Sequence, residues 1–133
     1  MAGSKTDALE ARVLDHLFKG GATPALTALS TVYIALHTAV PSDPSGGTEV
    51  TGSGYARVAA AAAVWTRTTS SMSNNTEIAF PAVTGSAYTV VGWGVYDAAS
   101  AGNFLYWGDT TSTTMNVGDV PRFAIGALTI TED

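Results

Sequence analysis

The groups in this chain able to do chemistry gather around one glycine-rich turn. Gly46-Gly47-Thr48-Glu49-Val50-Thr51-Gly52-Ser53-Gly54-Tyr55-Ala56-Arg57 places a carboxylate, a phenol and a guanidinium close together. A glycine-rich loop beside a basic residue can cradle a phosphate, but that chemistry needs the Gly-x-x-x-x-Gly-Lys spacing, which is absent. The histidines, His16 and His37, have no metal-ligand neighbour at helical or strand spacing, and zinc takes at least three protein ligands. A Ser-His-Asp arrangement is spatial and leaves no spacing to read, yet no Gly-x-Ser-x-Gly elbow presents a serine. Glu49, Glu77, Asp97 and Asp109 are the acids available for paired-carboxylate hydrolysis. Asp97 and Asp109 fall at strand ends, where aspartate commonly serves a turn. Asp43-Pro-Ser-Gly-Gly carries too few acids for a calcium loop. The residues therefore predict neither a catalytic centre nor a bound cofactor or metal.

The aromatics are the second chemical resource. Trp65, Trp93 and Trp107, with Tyr55, Tyr88 and Tyr106, could form a carbohydrate-stacking platform. Their alternation within apolar runs reads more simply as core filling. Tyr55 and Arg57 are two residues apart, so they share a strand face. Arg57 reads as a structural or intersubunit ion-pair partner rather than a ligand clamp, and Glu49, Tyr55 and Arg57 are the polar candidates for an intersubunit contact.

Composition narrows the partners. Of 133 residues, 13% are charged and the net charge is −5, about half the charged fraction of ordinary soluble domains. Six basic residues, Lys5, Arg12, Lys19, Arg57, Arg67 and Arg122, form no cluster. Neither nucleic acid nor an anionic membrane would find a footprint. There is no cysteine, which removes disulfides and thiolate chemistry. The first residues lack the apolar core of a secretory signal, and no run is long enough for a membrane span. With 46% hydrophobic residues the chain can bury a core of its own.

These groups must be carried by a mainly β fold. Residues 6–19 predict the one helix, with Leu9, Val13 and Leu17 at i, i+4 and i+8, and Leu14 and Phe18 widening the stripe. Thr6 or Ser4 caps its start, and Gly20-Gly21 ends it. That stripe must dock, either on its own domain or on a partner subunit, which makes Leu9, Val13 and Leu17 the apolar interaction candidates. A linker follows over 22–30, with Pro24 opposing helix. Thr31–Ala39 alternates as a strand, Val32, Ile34 and Leu36 opposite Tyr33, Ala35 and His37. Residues 40–54 form a long loop. Tyr55–Trp65 reads as a strand, 66–75 as turn, and Glu77–Phe80 as a short strand. Ala87–Asp97 and Asn103–Asp109 form a hairpin. A short piece at Met115–Val117 and a closing strand at Arg122–Thr131 complete the chain. The spacing predicts an antiparallel β-sandwich or Greek-key barrel over 22–133, preceded by a helical arm over 1–21.

The block order carries a resemblance. The helix from Asp7 to Phe18, Val32-Tyr-Ile-Ala-Leu-His-Thr-Ala, and Glu49-Val-Thr-Gly-Ser-Gly-Tyr-Ala-Arg come first. Gly92-Trp-Gly-Val-Tyr-Asp-Ala-Ala-Ser-Ala-Gly-Asn-Phe-Leu-Tyr-Trp-Gly and Phe123-Ala-Ile-Gly-Ala-Leu-Thr-Ile follow. Nearly the whole chain resembles a family of small virion structural proteins of tailed bacteriophages, tail-fibre-like or of capsid-decoration type. The resemblance implies a non-enzymatic virion component, assembled in the host bacterial cytoplasm and present in many copies. By its size it would be a capsid decoration protein that binds the lattice as an oligomer. The alternatives are a tail or tail-fibre-associated position and a carbohydrate- or receptor-binding module. The implied partners are the major capsid protein or tail proteins, with self-association into a homo-oligomer, a trimer among the options.

Overall fold

The computed structural model describes residues 4–21, 26–43 and 46–132. The expected linker start with Pro24, and Pro44-Ser45 of the long loop, lie outside them. Its elements are β1 (Ser4–Lys5), α1 (Asp7–Phe18), β2 (Thr31–Ala39), β3 (Thr48–Glu49), β4 (Val58–Ala61), β5 (Trp65–Thr68) and β6 (Ser71–Asn74). After them come β7 (Ile78–Ala79), β8 (Tyr88–Tyr96), β9 (Phe104–Met115), β10 (Arg122–Phe123) and β11 (Thr129–Thr131). A single 3-10 turn, Ala62–Val64, separates β4 from β5.

The principal sheet has six strands in the order β1-β9-β8-β2-β3, with β4 also on β2. Every pairing in it is antiparallel. A pair, β7-β10, and a three-stranded sheet, β5-β6-β11, complete the fold. The expectation of a mainly β, antiparallel chain with one N-terminal helix holds. Among the described residues no sheet closes into a barrel. The smaller sheets instead pack on the core through Trp65, Phe123 and Ile130.

Alternation explains the core. The register sets Ile34 beside Val95 and Leu36 beside Trp93, so one face of β2 and β8 is continuously apolar. A bulge between Val90 and Gly92 breaks the period of two. It returns Val90, rather than Val91, to the core with Trp93 and Val95. Glycines let the layers close. A Cβ on Gly108 would lie 2.5 Å from the Trp93 ring, and one on Gly92 would lie 2.4 Å from the Pro41 ring. Gly92 and Gly94, on one face of β8, mark close approach: Pro41, from the long loop, covers Gly92, and Phe104 and His37 crowd Gly94.

The helix begins where capping chemistry allows. Thr6 Oγ1 accepts from the Leu9 amide at 3.3 Å and donates to the Phe104 carbonyl at 2.8 Å. The Thr6 amide also donates to the Leu105 carbonyl, so one buried threonine starts the helix and ties it to β9. Leu9 joins the core and Val13 packs against it. Leu17 does not follow, being 66% exposed. A step of four residues turns the helix 400°, so an i, i+4, i+8 stripe drifts about 40° per step out of contact.

Four expected elements are corrected. The Tyr55–Trp65 strand is broken by the 3-10 turn, in keeping with the poor strand preference of its alanines. The region 66–75 is not a turn but the hairpin β5-β6, and β9 runs on to Met115 rather than stopping at Asp109. The closing strand is split into β10 and β11 because Asn74 captures the segment between them. Its Nδ2 donates to the Ala124 carbonyl at 2.9 Å and its Oδ1 accepts from the Leu128 amide at 3.0 Å. Nδ2 also donates to the Thr76 carbonyl, and the Asn74 carbonyl accepts from Gly126. Asn74 is 1% exposed, so Asn74→Ala would strand the buried Leu128 amide and leave two part-buried carbonyls, of Thr76 and Ala124, without their donor. A loss of about 2–4 kcal/mol is expected, measured as a lower urea midpoint with an unchanged slope.

Candidate functional site

The glycine-rich turn brings Glu49, Tyr55 and Arg57 together and bonds them to one another within the chain. The reason lies on the outer edge of β2. Thr31 to Ile34 pair with β4, while His37 and Ala39 pair with β3 across a register shift. The Leu36 amide falls between the two partners and would be orphaned. It donates instead to the Tyr55 hydroxyl oxygen at 3.1 Å, and that hydroxyl donates to Glu49 Oε1 at 2.8 Å.

Arg57 completes the cluster. Its Nε and Nη2 grip Glu49 Oε1 and Oε2 at 2.8 and 2.7 Å, a two-pronged geometry available to arginine alone. Nη1 donates to the Ala98 and Ala101 carbonyls, both at 2.8 Å. These belong to the β8–β9 turn, where Ala101 has a φ of 52°. The guanidinium carbon lies 3.6 Å from the centre of the Tyr96 ring, a cation–π contact. The Arg57 side chain is only 7% exposed. Burial would raise the Glu49 carboxyl, but the bonds from Arg57 and Tyr55 outweigh it and hold it below the usual range. Burial, with the Glu49 bond, drives the Tyr55 phenol well up.

His37 sits beside Glu49 in the β2–β3 register and is completely buried. Its ring stacks near-parallel to Tyr96, 6.3 Å between centres, and against Phe104 at 6.1 Å. Neither ring nitrogen has a well-formed hydrogen-bond partner. Burial lowers its pKa to about 4, overriding the nearby Glu49 carboxylate, which favours the cation; the Arg57 charge adds to the lowering. It is a neutral packing group at neutral pH.

The other candidates scatter. Leu9 is in the core, Val13 flanks it and Leu17 faces outward. Glu77 pairs with Arg122 at 3.5 Å. Asp97 accepts from the Asn103 amide and side chain, both at 2.6 Å, closing the β8–β9 turn. Trp93 is buried. Among the described residues, no three His, Cys, Asp or Glu side chains could hold a metal ion. No described helix is long and apolar enough to cross a membrane.

A groove of about 750 Å³ lies between the inner side of α1, the principal sheet and the β5-β6-β11 sheet. Leu9, Val32, Trp65, Met72, Leu105 and Ile130 line its apolar part. Part of its lining is polar: Glu132 accepts from Lys5 and from the Tyr106 hydroxyl. Sequence periodicity could not find this groove, because its walls come from strands far apart in the chain.

Two measurements check the cluster. Arg57→Ala leaves the Glu49 carboxylate partly buried without its partner and is expected to cost about 3–5 kcal/mol in chemical denaturation. Arg57→Lys should recover little, since an ammonium cannot grip both oxygens and both carbonyls. His37 gives a pH signature. The unfolded imidazole binds its proton near pH 6.5 and the folded one near 4. Its contribution is complete above pH 6.5 and is lost as pH falls toward 4, at up to about 1.4 kcal/mol per pH unit. The slope between pH 7 and 5 should disappear in His37→Phe; the same slope in that variant would show that other groups cause it.

Comparison with known proteins gives the family. No curated protein matches the chain. A family model described as podophage GP4 fiber I protein gp80 matches residues 4–131. The match runs from β1 through β11 and includes the Glu49–Arg57 cluster. The chain therefore belongs to the podophage GP4 fiber I protein gp80 family, a family of small tailed-phage virion structural proteins.

Proposed function

We propose that this chain is a fibre-associated structural component of a tailed-phage virion, held in place by other virion proteins and present in several copies. The family match over residues 4–131 carries the reading. Its description favours the fibre alternative over the capsid-decoration role that the chain's size brings to mind. The geometry agrees with a non-catalytic role. The carboxylate, phenol and guanidinium of the best polar cluster are committed to bonds within the chain. Such a cluster stiffens a domain and leaves no group poised for a substrate. Within this proposal residues 1–21 act as a helical unit docked on the β-domain of residues 22–133. The inner stripe of the helix joins the core, and its outer stripe is available to neighbours.

Antibody-labelled electron microscopy of purified particles tests the reading, with label expected on the tail or its fibres. Label on the head would move the protein to the decoration role, and particles lacking the protein would end both. Receptor binding is a second reading, favoured by the groove and by Trp65 on its wall, since apolar concavities of this size accept small ligands. A glycan array reads it directly. Binding that Trp65→Ala abolishes would support it, and no binding at millimolar sugar would remove it.

A further inference from the structure

The groove between α1 and the two larger sheets is lined by apolar side chains that the chain leaves half-wet. Val13, Leu26, Val32, Trp65 and Ile130 reach it, and each is only partly buried against the core. Its volume of about 750 Å³ suits a small ligand. The wall is mainly aliphatic, so covering it with an apolar body is favourable. Its charge differs from that of the chain as a whole. Three of the six basic residues line it, Lys5, Arg12 and Arg67, against two of the eleven acids, Asp97 and Glu132. Both acids are spent within the chain: Asp97 accepts from Asn103, and Glu132 from Lys5 and Tyr106.

Arg67 differs from the other cations. It takes part in none of the ion pairs among the described residues, and it is exposed. Its Nη1 donates to the Thr69 carbonyl at 2.8 Å. That bond holds the guanidinium at the β5–β6 turn with most of its five donors unspent. Its neighbours on the sheet are apolar. Arg67 pairs with Met72, and Met72 with Ile130, in one row across the three strands. Trp65, two residues before Arg67, shares its face. An unpaired cation and an aliphatic wall thus meet in one concavity.

We propose that the groove binds a free single-chain amphiphile, an unbranched acyl chain with one anionic headgroup, its tail along the aliphatic wall and its head on Arg67. The inference rests on the second reading above only in taking the groove as a ligand site, and it names a ligand other than a sugar. A sugar or an extended peptide would set hydroxyls or backbone amides against aliphatic side chains, and burying such groups unpaired is costly. An acyl chain carries no such groups along its tail, and its rotatable bonds let it follow an irregular wall. The ligand is free rather than part of an anionic bilayer, because the six basic residues form no cluster to hold such a surface. A ligand of this size binds with a dissociation constant on the order of 10–1000 µM.

Calorimetric titration of the whole chain with sodium octanoate, decanoate and dodecanoate, each below its micellar concentration, is the test. Affinity is expected to rise roughly threefold to fourfold with each added CH₂. Dodecanoate should bind at least tenfold more tightly than dodecyltrimethylammonium. Arg67→Glu, at an exposed position, should reverse that preference and leave the melting temperature unchanged. Trp65→Phe should remove the fluorescence change that dodecanoate causes while the heat of binding remains. Affinity independent of chain length, or an unchanged headgroup preference in Arg67→Glu, would overturn the proposal. A sugar bound on the glycan array with dodecanoate unbound would overturn it too, yet leave the second reading standing. Neither ligand bound would remove both.

Discussion

The Leu36 amide has no strand to bond to, and much of the architecture follows from that gap. β2 lies one place in from the edge of the sheet, and its outer side is shared by β3 and β4 with a break between them. A break in a buried strand leaves a donor unsatisfied unless a side chain supplies the acceptor. Tyr55 supplies it, Glu49 orients Tyr55, and Arg57 holds Glu49 while reaching across to the β8–β9 turn. Four segments distant along the chain are thereby held in one geometry. Burying such an ion pair adds little net stability, because desolvation offsets much of the attraction. Its effect is on uniqueness: few other packings would satisfy the carboxylate, the guanidinium and the Leu36 amide together.

The sheet around this cluster works with two different faces. One carries Ile34, Leu36, Trp93 and Val95 and forms the core. The other carries Ala35, His37, Gly92 and Gly94 and lies under the loop, where Pro41 and the rings of Tyr96 and Phe104 come close. Polar burial is concentrated here. Among the described residues, His37, Asp43, Trp107 and Asp109 each keep a buried polar atom without a well-formed hydrogen-bond partner. A histidine in such a place is tolerated because neutral imidazole loses less on leaving water than a charge would.

What the sequence made legible tracks how local the cause is. β2 is found residue for residue, because Val32, Ile34 and Leu36 alternate with nothing to disturb them. The helix is found because Thr6 and Gly20 bracket its period. The cluster was half visible: Tyr55 and Arg57 share a face by spacing, and Glu49 stands near them in sequence. That Arg57 bonds Glu49 inside the chain, rather than a neighbour across an interface, depends on the register shift at His37, which no local pattern announces. Asn74 was missed entirely. It reads as one polar residue in a polar stretch, and only the return of Ala124 and Leu128 gives it a role. The split of the helical stripe was in principle readable, because strict four-residue spacing does not stay on one side of a helix.

The Lys5–Glu132 contact has a mechanical consequence. It joins the first strand of the described chain to the residue just past the last. Tension applied through both flanks would fall on this ion pair and on the two-residue strand β1 before reaching the long strands. Such a load opens the structure one bond at a time, like a zip, instead of shearing many bonds at once. If both flanks carried force, the domain would yield at a low threshold. If only one did, the Glu49–Arg57 cluster and the sheet beneath it would remain unloaded. A domain built this way is suited to being held by its surface rather than loaded through β1 and β11.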